Sequence, residues 1–246
     1  MSFSTKSPRS LRSPKSPKGK SASYLIAQRL NNRAAGCIEA GKFDLAIRNL
    51  TKAMQISQEG NESSTCSCQK CSLQSCMAFS MQYGRINSQR KQDHQHTSMT
   101  DDSGFIYSQP LRIPPHSLNH PMGASFPLLV TFNLALAHHL SAIQEVDKEY
   151  RRRTLTKSLK LYELAYKCQI EEGINSLTFA MIMANNLGEI HRVSKNQQKH
   201  EKCLQNLLST MMFMIVVDYG ETEVEMDGFF KNTSPLILQD RCAGAA

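Results

Sequence analysis

The sequence predicts an all-α fold of about three stacked helix pairs, preceded by a basic tail and interrupted by a long low-complexity insertion. Three segments with helically spaced apolar residues each carry mostly small side chains at related intervals. The three sets are Ala34, Ala46 and Ala53, then Ala135, Ser158 and Ala165, and finally Gly188, His200 and Leu207. Two antiparallel helices approach closely only where the side chains between them are small, so a recurring interval has a packing reason.

The first predicted helix pair covers residues 22–56. Its first helix ends at Gly41, and a second helix starts at Lys42-Phe43 and carries Leu50 and Ala53. Glycine is typical of a helix end because it adopts the left-handed backbone conformation at little cost.

The second and third predicted pairs cover residues 125–217. The third keeps the intervals of 12 and 7 positions between small sites that the first pair shows. The second keeps the 7 between Ser158 and Ala165, but 23 positions separate Ala135 from Ser158. The extra 11 residues predict a lengthened loop between its two helices, over residues 144–153.

These helix–turn–helix units resemble the tetratricopeptide repeat (TPR) family, whose unit is about 34 residues long. The wider interval from Ala165 to Leu207 resembles the long variant of kinesin light chains. The resemblance implies an α-α superhelix, a TPR-like solenoid, whose first helices line a concave groove for an extended peptide or a partner helix. An ordinary helical bundle is the competing interpretation. Helix geometry gives nine groove-binding candidates: Asn31, Ala35, Ile38, Phe132, Leu136, His139, Asn185, Glu189 and Arg192.

Residues 1–21 form a basic tail that holds most of the charge. Six of the eight net positive charges lie there, and serine, proline and charge together predict disorder. Ser7, Ser13 and Ser16 each precede proline and are phosphorylation candidates. Three phosphates would add roughly −5 to −6 and nearly cancel the charge of the tail. The tail could bind nucleic acid or anionic lipid, direct nuclear import, or do nothing specific.

Residues 57–124 form a Cys/Ser/Gln/His-rich insertion, and their composition predicts that most of it is disordered. Its four clustered thiols, Cys66, Cys68, Cys71 and Cys76, are weak candidates for zinc. Only Cys68 and Cys71 have the two-residue spacing of a zinc knuckle. We therefore predict no metal site and no cofactor.

The sequence contains none of the established catalytic signatures, such as a phosphate-binding loop or a nucleophile elbow. His138 and His139 are adjacent on a predicted helix and so point about 100° apart, which prevents them from chelating one ion together. No apolar stretch reaches the length of a membrane span, and the first 20 residues lack the apolar core of a signal peptide. These features predict a cytoplasmic or nuclear protein that is not an enzyme.

The chain ends in an apolar helix and an acidic/apolar segment, residues 218–246. The end of the last repeat helix, Met211–Val217, is apolar on every side and predicts burial by neighbours or self-association. Five acids follow, and then an apolar cluster that begins at Phe229. This segment could cap the last helix, dock into the groove of its own chain, or bind a partner.

Together these observations predict a non-catalytic protein–protein interaction scaffold that binds a peptide or helix through a TPR-like groove. The alternative is a nucleic-acid or chromatin-associated protein that uses its basic Ser-Pro tail. Salt separates the two, because electrostatic binding weakens steeply with ionic strength.

Overall fold

The computed structural model describes residues 18–59, 71–91, 104–217 and 226–243 of the 246-residue chain. This part of the chain is helical and contains no strand. The α-helices are α1 Lys18–Glu39, α2 Phe43–Glu59, α3 Leu73–Lys91, α4 Ser125–Gln144, α5 Lys148–Glu171, α6 Leu177–Val193, α7 Gln197–Val216 and α8 Asp227–Ala243. The predicted all-α class is confirmed. The tail with Ser7, Ser13 and Ser16 lies outside the described residues.

The helices pack as consecutive pairs: α1 with α2, α4 with α5, and α6 with α7. The second helix of each pair then packs against the first helix of the next, so that α2 contacts α4, α5 contacts α6, and α7 contacts α8. Helix α3 lies outside this succession. Four helices therefore occupy the first position in their units, namely α1, α4, α6 and α8.

Three turns between consecutive helices share one backbone motif. Gly41, Gly173 and Lys195 have φ values of 69°, 62° and 57°, which is the left-handed region. After each of them, an N–H reaches back five residues to a carbonyl of the preceding helix, as from Lys42 to Cys37 at 2.8 Å. This arrangement caps helix C-termini and reverses the chain within a few residues.

The small positions identified in the sequence face each other within the later pairs. Ser158 Oγ donates a hydrogen bond to the carbonyl of Ala135 at 2.8 Å. His200 Nδ1 lies 3.0 Å from the carbonyl of Gly188. A Cβ added at Gly188 would lie 3.3 Å from the Cβ of Cys203, a tight contact. The interval in the sequence therefore marks the closest approach of the two helices.

The predicted long loop over residues 144–153 is wrong. Only residues 145–147 separate α4 from α5. The Asp147 carboxylate accepts hydrogen bonds from the N–H groups of Glu149 and Tyr150, which caps α5 at its first turn. The additional residues lengthen the two helices instead of the loop.

The prediction that residues 57–124 are mostly disordered is also wrong for much of this range. Helix α2 continues to Glu59, α3 occupies Leu73–Lys91, and residues 104–124 are ordered. Buried apolar side chains explain this order, since Leu73, Met77, Leu111 and Ile113 all belong to the core. These core residues could not be recognised from the composition of the range, because polar side chains stand between them in the sequence.

The two described thiols of the cysteine cluster are buried near the start of α3. Both Cys71 and Cys76 belong to the core, against which the partly buried Tyr24 packs. Burial raises the pKa of the Cys76 thiol to about 12. Cys66 and Cys68 lie outside the described residues.

Helix α4 is the one described helix whose length and composition would allow it to cross a membrane. Thirteen of its residues are buried against neighbouring helices. A core helix has the same apolar composition, so the pattern of α4 is explained by its central place in the fold.

Candidate functional site

Residues 104–114, which we call the extended segment, run along the first helices of the units. The segment has no regular secondary structure. It contacts α8 through Phe105, α6 through Tyr107, α4 through Leu111 and α1 through Ile113. It therefore crosses the four helices in the reverse of their order in the chain.

Four asparagine side chains, which we call the asparagine ladder, hold the backbone of this segment. Each one donates Nδ2–H to the carbonyl of a segment residue and accepts the N–H of the same residue at Oδ1. The donor and acceptor distances are 2.7 and 2.8 Å for Asn32 with Ile113, 2.7 and 2.8 Å for Asn133 with Leu111, 3.0 and 3.0 Å for Asn186 with Tyr107, and 2.8 and 2.8 Å for Asn232 with Phe105.

Each asparagine side chain makes the two hydrogen bonds that a residue of a neighbouring strand would make in a β-sheet. A carboxamide presents one donor and one acceptor in a plane, which matches the N–H and C=O of one extended residue. These two hydrogen bonds involve only the backbone of the segment residue and do not depend on its side chain. The ladder therefore selects a backbone conformation rather than a sequence.

Two further asparagines support the ladder from behind. Asn31 Nδ2 donates to the Leu111 carbonyl at 3.2 Å, and its Oδ1 accepts from Asn133 at 2.9 Å. Asn185 does the same for the Phe105 carbonyl at 3.0 Å and for Asn232 at 2.8 Å. Buried amides need partners, and each supporting asparagine satisfies a member of the ladder and fixes its orientation.

The side chains of the extended segment pack into the core. Those at one end are aromatic, and those at the other end are aliphatic. The Phe105 ring meets Phe229 of α8 edge to face at 5.1 Å, and Tyr107 stacks on Phe229 at 6.2 Å. Leu111 and Ile113 are fully buried. The segment thus contributes to the core as well as occupying the ladder.

Helix α3 contacts the segment through another set of groups. Gln109 Nε2 donates to the carbonyl of Ser80 at 2.9 Å, and Ser80 Oγ accepts the N–H of Arg112 at 2.7 Å. The Arg112 guanidinium stacks on Tyr83 and pairs with Glu39 of α1. The segment is therefore bound by α3 in addition to the first helices.

Glycines allow the close approach of the segment at three places. A Cβ at Gly84 of α3 would fall on the side-chain amide of Gln109, a Cβ at Gly104 on the carboxylate of Glu189 in α6, and a Cβ at Gly228 on the ring of Phe105. All three distances are shorter than those that real Cβ atoms show. A side chain at any of these positions would require the opposing side chain to move.

The nine groove-binding candidates divide between the segment and the core. Asn31, Asn185 and Glu189 lie against the extended segment. Arg192 pairs with Glu189 at 2.9 Å. The other candidates are buried, and these are Ala35, Ile38, Phe132, Leu136 and His139.

The candidates Asn31 and Asn185 each stand one position before a ladder residue, whereas Asn133 and Asn232 were not among the candidates. All four ladder residues stand two positions before a small residue in the first helix of their unit, as Asn133 stands before Ala135. The other three pairs are Asn32 with Ala34, Asn186 with Gly188, and Asn232 with Ser234. This recurrence was the signal that could have revealed the ladder, and it would have added α8 as a fourth unit.

His139 is packed inside the α4–α5 pair and does not face the segment. Its ring lies edge to face against Tyr162 at 6.0 Å, and Nδ1 is buried without a hydrogen-bond partner among the described residues. Burial lowers the pKa of His139 to about 3. The side chain is therefore neutral in the folded protein at pH 7.

The stability of the fold is expected to fall in mild acid because of His139. The unfolded state takes up a proton near pH 6.5 and the folded state only near pH 3, so this contribution is complete above pH 6.5 and is lost as pH falls. The loss is about 1.4 kcal/mol per pH unit. Urea unfolding at pH 7, 5.5 and 4.5 should show a shallower pH dependence for His139→Phe, whereas the exposed His116→Phe should match the parent. Equal slopes for both variants would contradict this assignment.

Two surfaces away from the segment are distinctive. On α5, Lys148, Arg152, Arg153, Lys157 and Lys160 are exposed. Arg152 and Arg153 hydrogen-bond Glu149 and lower the pKa of its carboxyl to about 2.

The end of α7 exposes a second distinctive surface. Met211 and Met214 are buried, whereas Phe213, Ile215 and Val216 are about half to three-quarters exposed, at 53, 56 and 77%. The described neighbours therefore bury only one side of Met211–Val217. Self-association through this face stays a prediction.

Comparison of the chain with protein-family models, with curated proteins and with solved structures finds no match. The interpretation of the site therefore depends on its geometry.

Proposed function

We propose that this protein is a non-catalytic interaction scaffold of TPR-like repeats whose groove binds an extended polypeptide through the asparagine ladder. The observation that carries the proposal is the paired hydrogen bonding of four asparagines to the backbone of residues 105, 107, 111 and 113. Repeated recognition of one extended chain by equivalent positions is what a peptide-binding groove requires. The succession of helix pairs supports the TPR-like arrangement.

The extended segment acts as an internal ligand of this groove. Because it is tethered to α4, its effective concentration at the ladder is high, and a partner must compete with it. If the ladder is free in one molecule in a hundred, the apparent affinity for a partner is a hundredfold weaker than the intrinsic affinity. Occupancy by its own chain therefore regulates the scaffold.

Changes in the segment and changes in the ladder should affect partner binding in opposite directions. We expect a labelled peptide of residues 104–114 to bind the parent chain weakly in fluorescence anisotropy. A chain carrying Phe105→Ala and Arg112→Ala, which loses side-chain contacts of the segment but keeps the ladder, should bind the peptide at least about tenfold more tightly. Adding Asn186→Ala to this chain should weaken binding again.

A matched control is Asn206→Ala, because Asn206 is exposed on α7. It should leave peptide binding unchanged in either background. Absence of peptide binding to every variant that circular dichroism shows to be folded would contradict the proposed function.

A second candidate function, binding to nucleic acid, is favoured by the exposed basic residues of α5. A surface pocket there is lined by Tyr150, Arg152, Arg153 and Lys157, among others. Phosphate neutralisation would make the logarithm of the binding constant fall with the logarithm of salt concentration, by about 0.9 per contact on duplex DNA. The test is duplex DNA binding by a chain that carries both Arg152→Glu and Lys157→Glu. If this double variant binds DNA as tightly as the parent chain, the α5 surface is excluded as the binding site.

A further inference from the structure

We propose that the partner of this groove presents an arginine at the position of Arg112, and that Glu39 and Tyr83 form the pocket that reads it. The inference rests on the proposed function. The ladder accounts for binding of an extended backbone but not for a choice among sequences. Selection must then come from pockets that contact the side chains of the bound chain.

Three groups surround the Arg112 side chain. Its Nη2 and Nε donate to the two carboxylate oxygens of Glu39 at 2.7 and 3.2 Å. Its Nη1 donates to the carbonyl of Asn32 at 3.2 Å. The guanidinium carbon lies 4.3 Å from the centroid of the Tyr83 ring. Carboxylate, carbonyl and aromatic face together form the usual surroundings of a bound guanidinium.

The pocket discriminates against lysine as well as against neutral residues. A guanidinium matches both oxygens of a carboxylate at once, and its flat face stacks on an aromatic ring. An ammonium group cannot do both from one position. Only 11% of the Arg112 side chain and 25% of the Glu39 side chain is exposed, so water screens the pair only partly.

Helix α1 leaves room for the guanidinium at Gly36. A Cβ at Gly36 would lie 3.6 Å from Nη2 of Arg112, which is ordinary contact. Glu39 stands three positions further along the same helix. One face of α1 therefore supplies Asn32 for the backbone and Glu39 for the side chain of consecutive bound residues, Ile113 and Arg112.

The partner is therefore an extended protein segment that carries an arginine followed by an apolar residue, with an aromatic residue at the position of Tyr107. The Ile113 position is fully buried, and the Tyr107 position stacks on Phe229. The chain's own segment has this chemistry, which explains how it can occupy the groove.

A charge exchange tests the pocket. Peptides of residues 104–114 with Arg, Lys, Ala or Glu at the Arg112 position would be titrated onto the F105A/R112A chain. We expect about tenfold weaker binding for Lys and at least a hundredfold weaker binding for Glu. A further chain with Glu39→Arg should reverse the order and prefer the Glu peptide.

The outcomes separate this inference from the proposed function. If no peptide binds, the proposed function fails. If all four peptides bind equally, the ladder binds backbone and the arginine pocket is overturned. If the F105A/R112A chain does not fold, a thermal double-mutant cycle of Glu39→Arg and Arg112→Glu in the full chain tests the pocket, because the double variant must recover stability. A dimer formed by exchange of residues 104–114 would assign the groove to a second copy.

Discussion

Replacing Asn133 with alanine is expected to lower the free energy of unfolding by about 3 kcal/mol, one of the largest effects of a single polar substitution in this chain. The change orphans the N–H of Leu111 and the Oδ1 of Asn31, which are both buried. Each buried group without a partner costs about 1–3 kcal/mol. For a chain of this size, the melting temperature should fall by roughly 6–12 °C.

Differential scanning calorimetry of Asn133→Ala beside Asn206→Ala measures this effect. Asn206 is exposed on α7, so its replacement should shift the melting temperature little. Equal shifts for the two variants would show that the bonds between Asn133 and the extended segment do not form in solution.

Two Gly→Ala substitutions in helices are expected to have opposite signs. Gly228→Ala should destabilise the chain by about 1–3 kcal/mol, because the new methyl group overlaps the Phe105 ring that packs on Phe229. Gly36→Ala should stabilise it by about 0.5–1 kcal/mol, because alanine favours the helix and meets only ordinary contact.

Urea unfolding of the two variants gives the comparison directly. The pair is informative because the chemical change is the same and only the distance to the extended segment differs. A stabilising Gly228→Ala would mean that Phe105 does not lie against α8, and the aromatic end of the site would have to be abandoned.

The helix pairs could be predicted from the sequence because close packing requires small residues at fixed intervals. Ala135 with Ser158 and Gly188 with His200 are the contacts on which that argument rested, and both are present. The same packing rule could not explain the 23 positions between Ala135 and Ser158. Extra residues lengthen a loop or two helices with equal ease, and the capping by Asp147 decides between them.

The extended segment could not be predicted because its order comes from contacts distant in sequence. Phe105 pairs with Asn232, and Ile113 pairs with Asn32. Neither partner is visible in residues 104–114 themselves, whose glycine and two prolines are typical of a loop. The ladder itself left a trace in the sequence, an asparagine two positions before a small residue in the first helix of each unit, because equivalent helices present it to one chain.

Amide hydrogen exchange of residues 105–113, followed by NMR, tests the central claim that the ladder holds an extended segment of this chain. The N–H groups of Phe105, Tyr107, Leu111 and Ile113 are bound by asparagine, whereas those of Ile106 and Ser108 have no acceptor among the described residues. We predict exchange on the order of 100-fold slower for the first set than for the second. Uniformly fast exchange along the segment would contradict the account, because the groove would then be empty in solution.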